Sequence, residues 1–101
     1  MRLAPKDRKK QILDSALALS VRGNYRDVTR EALASHVPCS PALVSFYFGS
    51  MTRLRHAIMT FAVQQENLIV LAQGLAVGDI KAKKAPHALR EKAARILAGE
   101  K

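Results

Sequence analysis

Residues 25–54 read YRDVTREALASHVPCSPALVSFYFGSMTRL, and this stretch packs two helix starts and two helix stops around one turn. Thr29 is placed to cap a helix in which Ala32, Leu33 and Val37 recur at helical spacing. Pro38 removes a backbone donor and disfavours helical geometry at Val37, so that helix must end there. Ser40-Pro41 restarts the chain with a capping hydroxyl and a proline at the first helical position, where its missing N–H is not needed. The second helix is expected from Pro41 to about Tyr47, with a stop at Gly49 and a new cap at Ser50 or Thr52. Two helices joined by a turn of about four residues make a helix-turn-helix, and a second helix of about two turns is long enough to enter a DNA major groove.

Outward from this core, composition agrees with a polyanionic partner. The chain has 101 residues and 17 Lys and Arg against 8 Asp and Glu, a formal +9. Such a field attracts nucleic acid through counterion release, but by itself it does not distinguish DNA from RNA or from an anionic membrane. Arg2, Lys6, Arg8, Lys9 and Lys10 form a basic arm before the first helix, suited either to a phosphate backbone or minor groove or to simple solvation. Apolar residues make up 49% with helical periodicity and almost no alternation, so an all-α fold is expected, with a single compact core. The sequence has no apolar run long enough to span a bilayer and no hydrophobic signal core, so the expectation is a cytoplasmic protein without a membrane partner. One cysteine excludes an internal disulfide framework.

The same residues resemble the DNA-binding domain of the TetR family of bacterial transcriptional regulators, over roughly residues 8 to 60. The family pattern A-x-x-A-G-V-S-x-x-x-L-Y-x-Y-F-x-S-K-E-x-L and its flanks fall on Ile12-Leu13, Ala16-Leu17, Tyr25, Thr29, Leu33-Ala34, Ser40, Val44, Tyr47-Phe48, Ser50 and Leu54. Departures are Ser20 for a helix-one Phe, Asn24 for the turn Gly, Val37-Pro38-Cys39 for Ala-Gly-Val, Ser45 for the first Tyr and Met51 for Lys. A Met neutralises no phosphate, and a Ser reaches less far than a Tyr. The resemblance implies a TetR-like three-helix unit at 1–58, carrying the basic arm and a recognition helix at about 41–47. Residues 59–101 would then be a helical extension for dimerisation, in place of the family's long effector-binding domain.

In that extension a fourth helix is expected from near Thr52 to about Gln73, with Leu68 to Ala72 apolar all round and hence buried on two sides. The second cover is either another subunit or the last helix. Gly74 and Gly78 mark a loop, Lys81, Lys83 and Lys84 a charged linker, and Pro86 opens a final helix through about Ala98, five helices in all.

Family geometry carried onto matching positions implies that Pro41, Ala42, Leu43, Ser45, Phe46 and Tyr47 face bases, with Arg30 and Glu31 as the polar candidates. Most of these are small or apolar, fit for thymine methyls and DNA shape rather than for bidentate recognition. Leu43 and Phe46 have core packing as their alternative, and Arg30 a helix-end ion pair with Asp27 or Glu31. Phosphate contacts are expected from Thr29, Ser40, Tyr47, Thr52 and Arg53, with Lys6, Lys9 and Lys10 from the arm. A dimer interface is expected from Phe61, Gln65, Leu68, Ile69, Ala72, Leu75, Leu89, Ile96 and Leu97. The expected partners are a palindromic double-stranded operator and a second copy of the chain. The expected function is a homodimeric repressor that occludes a promoter without a small-molecule effector.

Other chemistries find little footing. His36 and Cys39 form at best half a metal site, with His56 and His87 on other helices, so neither a metal nor a cofactor is expected. Cys39 reads as a small buried residue, with a redox thiol as its alternative. Glu66, Asp79 and Glu91 show no paired-carboxylate spacing, and neither a glycine-rich phosphate loop nor a nucleophile motif is present, so no enzymatic activity is expected. A protein-interaction module that uses the apolar fourth helix, as an adaptor or antitoxin-like subunit, is the alternative function. RNA binding ranks lower, without a stacking sheet or GxxG loop.

Overall fold

The computed structural model describes residues 4–99, so the expectation for Arg2 lies outside the described residues. Within them the chain forms seven α-helices and one 3-10 turn, with no strand. Pro5 opens α1 (Pro5–Arg22), which buries Ile12, Ala16, Leu17 and Ser20 along one face. Ser20 is satisfied in the core, because its hydroxyl donates to the Ala16 carbonyl at 2.7 Å. Helix α1 begins at Pro5, so Lys6, Arg8, Lys9 and Lys10 stand on its first turns. This corrects the expectation of an arm leading into the helix.

Asn24 is extended at φ −148°, ψ 141°, a conformation that requires no glycine, and its side chain accepts from the Arg26 N–H to open the 3-10 turn Tyr25–Asp27. Then come α2 (Arg30–His36) and α3 (Pro41–Phe48). The four residues from Val37 to Ser40 connect them, with Val37 extended ahead of Pro38 as the proline demands. Gly49, at φ 77°, ends α3 in a conformation that favours glycine, and Ser50 caps α4 (Met51–Gln64).

The long fourth helix expected through Gln73 is instead two helices. Glu66 takes the left-handed conformation at φ 55°, the Asn67 N–H reaches back to the Ala62 carbonyl at 2.8 Å, and the Glu66 N–H reaches Val63 at 3.1 Å. This is the Schellman arrangement of a helix end. Asn67 then caps α5 (Leu68–Ala76) with its side-chain oxygen on the Val70 N–H. The apolar pattern runs straight through the break, which is why periodicity alone joins the two segments. Gly74 also departs from expectation, since it lies inside α5 rather than in a loop. A Cβ there would stand 2.5 Å from the Met59 Cε and 2.8 Å from the Ala82 Cβ, so α4, α5 and α6 meet where glycine leaves room. Asp79 caps α6 (Ile80–Lys83), a helical turn inside the expected charged linker, and α7 (His87–Leu97) follows Pro86.

One continuous core joins Ile12 and Leu33 to Val44, Ile58, Val70, Leu71 and Ala93, and α4 runs unbroken across positions 58 and 59. Helix α5 packs on α4 and α7, which bury Val70, Leu71 and Ala72, while Ile69 stays 45% exposed, so the expected all-round burial of residues 68–72 is met only in part. Among the described residues no helix is long and apolar enough to cross a membrane.

Two polar links join the C-terminal helices to the region before α2. The Gln73 amide accepts from the Tyr25 N–H at 2.9 Å and donates to the carbonyls of Ser20 at 2.8 Å and Gly23 at 3.2 Å. The Tyr25 hydroxyl donates to Asp79 Oδ2 at 2.7 Å. Burial, then the Asp79 hydrogen bond and charge, push the Tyr25 phenol well above its ordinary range.

Gly74→Val is expected to lower stability by about 1–3 kcal/mol through overpacking at this crossing, read from denaturant midpoints. An unchanged midpoint would mean that the three helices do not approach so closely. The raised Tyr25 pKa favours the protonated folded state, so its contribution is complete below pH 10, the unfolded tyrosine value, and falls as pH rises above it. Stability curves of the wild type should therefore drop above that pH more steeply than those of Tyr25→Phe.

Candidate nucleic-acid interface

Helices α2, α3 and α4 each start on a side-chain cap. Thr29 Oγ1 accepts from the Ala32 N–H at 3.1 Å, Ser40 Oγ from Leu43 at 3.1 Å and Ser50 Oγ from Arg53 at 3.2 Å. Each capping oxygen is engaged as an acceptor, while its hydroxyl proton remains a donor suited to a phosphate. Thr29, Ser40 and Ser50 are all exposed, as are Thr52 and Arg53 on the first turn of α4.

Two arginines brace this unit. Arg30 directs its guanidinium to the Gly49 carbonyl at 3.4 Å, joining the start of α2 to the end of α3, and it forms no ion pair with Asp27 or Glu31. Arg8 donates to the Pro38 carbonyl at 3.1 Å and to Gln11 at 2.8 Å, which anchors α1 to the turn between α2 and α3. Neither contact is legible in the sequence, because each joins side chain to backbone over 19 or 30 positions. Lys6 and Lys9 are exposed, and Lys10 pairs with Asp14 at 2.9 Å on the α1 surface. An exposed pair of this kind contributes about 0–1 kcal/mol.

Helix α3 divides cleanly between core and surface. Val44 is fully buried, and Tyr47 and Phe48 lean on the core, half-buried. Leu43 and Ser45 are half-buried, and Pro41 and Ala42 are exposed, as is Glu31 of α2. Phe46 is 80% exposed, the most exposed of the large apolar side chains among the described residues, and meets Tyr47 edge to face at 5.5 Å between ring centres. A ring exposed to that degree offers apolar surface to a partner.

The residues expected at a dimer interface separate. Phe61 and Ala72 lie inside the chain's own core, and this corrects their reading as surface. Leu75 and Leu89 pack against that core half-buried, Leu68 is half-buried, and Gln65, Ile69, Ile96 and Leu97 remain at the surface. Cys39 is half-buried, and burial raises its thiol pKa while Arg8 lowers it less strongly, so the neutral thiol is favoured. Among the described residues no three His, Cys, Asp or Glu side chains gather as metal ligands would.

No family model matches this chain, and no curated protein or solved structure matches it either.

Ser40→Ala should cost about 1 kcal/mol of stability by leaving the α3 start uncapped, whereas Ser40→Asp should retain most of it. Thermal melts of the two variants check this, and equal melts would show that the cap contributes nothing.

Proposed function

We propose that this chain is a sequence-specific DNA-binding regulator that inserts α3 into the major groove, acts as a homodimer on a palindromic operator and represses by occluding a promoter. The observation that carries the reading is the outward face of α3, where Phe46 is 80% exposed on a helix whose opposite side is fixed in the core by Val44. Pro41, Ala42 and Phe46 offer that face small and apolar contacts, which suit thymine methyl groups and DNA shape more than guanine edges. Around it the hydroxyls of Thr29, Ser40, Ser50 and Thr52, with Arg53, surround the face with phosphate donors, and the +9 charge supplies attraction at longer range. Two copies would place two such helices about one DNA turn apart. Ile69, at 45% exposure, and Leu97, at 49%, are the apolar residues best placed to serve a second subunit.

These two residues also favour a second reading, an adaptor whose α5 and α7 dock another protein. Selection of bound duplexes from a random pool at physiological salt separates the two. The expected result is an enriched palindrome bound about a thousandfold or more above scrambled DNA. Phe46→Ala should reduce that preference by about 1–3 kcal/mol without lowering the melting temperature. Absence of enrichment, with Ile69→Glu alone abolishing activity in the cell, would replace the DNA reading with the adaptor.

A further inference from the structure

Beside the α4 start, two adjoining hollows share Arg26, Arg55 and Val77 in their walls. Tyr25, Thr52, His56 and Asp79 complete the inner one, and Asn24 and Asp27 the outer. Two guanidinium groups from separate elements, the 3-10 turn and α4, therefore face one groove. Neither belongs to an ion pair among the described residues. The Nε of Arg55 is buried without a hydrogen-bond partner. Such a donor is normally satisfied in a folded protein.

Two carboxylates also line these hollows, but among the described residues neither forms an ion pair with a guanidinium. Asp79 is committed, with Oδ2 accepting from the Tyr25 hydroxyl at 2.7 Å and Oδ1 from the N–H groups of Lys81 at 2.7 Å and Ala82 at 3.2 Å. Asp27 is exposed at the outer rim and forms no ion pair with Arg26. Both arginine charges also act on the Tyr25 phenol, drawing its pKa down against the stronger effects of burial and Asp79. Two guanidinium groups that line one hollow without an ion pair, together with the Thr52 hydroxyl and the His56 imidazole, offer several hydrogen-bond donors to an anion. Paired guanidinium forks match the oxygens of a phosphate in geometry as well as in charge.

We propose that Arg26, Arg55, His56 and Thr52 form a phosphate seat at the junction between the helix-turn-helix and the C-terminal helices. The shared chemistry is a phosphate oxyanion, taken either from the DNA backbone or from a free phosphate compound. The backbone source rests on the function proposed above, and position supports it. Thr52 lies on the first turn of α4, next to the Ser50 cap, and Arg26 precedes the Thr29 cap by three positions. The caps and the groove residues are thus neighbours along the chain, which links the seat to a strand held at the caps.

The test has two arms, using wild type, Arg26→Gln, Arg55→Gln, Arg55→Lys and, as a control for lost charge elsewhere, Arg95→Gln on the exposed face of α7. In the first arm inorganic phosphate is titrated into each protein and backbone amide shifts are followed. Saturable shifts confined to residues 24–27 and 52–56, lost in both glutamine variants and kept in Arg95→Gln, would establish a seat for free phosphate. In the second arm the salt dependence of duplex binding is measured. A backbone phosphate in the seat predicts that the slope of log K against log salt falls by about 0.9 in Arg26→Gln and in Arg55→Gln but not in Arg95→Gln. Arg55→Lys keeps the charge and the slope while losing the bidentate fork, and it covers the case in which Arg55→Gln fails to fold. Shifts spread evenly over the surface, together with slopes equal to that of Arg95→Gln, would overturn the proposal. If the wild type binds no duplex, the DNA reading fails and the phosphate titration alone decides the seat.

Discussion

The side-chain amide of Gln73 makes three hydrogen bonds at the point where the chain leaves α1 and turns toward the helix-turn-helix. Helix ends leave backbone groups without partners, and a buried one costs free energy comparable to a lost hydrogen bond. At the end of α1 a single residue from α5 meets that need for two carbonyls and one N–H. The 3-10 turn is therefore held in position, and with it Val28 in the core and Thr29 at the start of α2. Tyr25 adds a second link on the same segment through Asp79. This small polar seam joins the end of α1 and the 3-10 turn to α5 and the start of α6, beside the packing of α1 on α4 and α5.

The consequences run in both directions from the seam. On one side α2 and α3 are braced by Arg8 and Arg30, whose guanidinium groups go to backbone carbonyls at the turn and at the α3 end. Arg30 is thereby drawn toward Gly49 rather than left extended from the surface, and the outward chemistry of α3 falls to small residues and one aromatic ring. On the other side α5 is enclosed by α4 and α7, and Gly74 permits the close approach that brings Gln73 to its partners. Val70, Leu71 and Ala72 have their cover within the chain, and Ile69 is left at the α5 surface.

The parts legible in the sequence are those determined by local chemistry. Thr29, Pro38, Ser40, Pro41, Gly49 and Ser50 act within one or two turns of their own positions, and the structure starts and stops its helices at those residues. The burial of Val44 and the all-helical class follow from spacing in the same way. What escaped is non-local or contrary to propensity. Glutamate rarely adopts a left-handed conformation, so the break at Glu66 carried no signal beyond the capping asparagine that follows it. The short α6 was hidden among lysines, although Asp79 marks its start. The groove around Arg55 joins positions about 30 residues apart, and no periodic pattern connects Arg26 with Arg55.

The length of chain spanned by the Gln73 contacts has a kinetic side. Its three hydrogen bonds bridge 48, 50 and 53 positions, whereas the caps and braces of the helix-turn-helix close loops of 3 to 30. Closing a longer loop costs more chain entropy before any contact rewards it, so short-range structure leads and long-range structure follows in folding. Chain entropy therefore favours forming α2, α3 and the start of α4 ahead of the seam. The Tyr25 amide is the place where hydrogen exchange would register an opening of the seam separate from the α2–α3 turn.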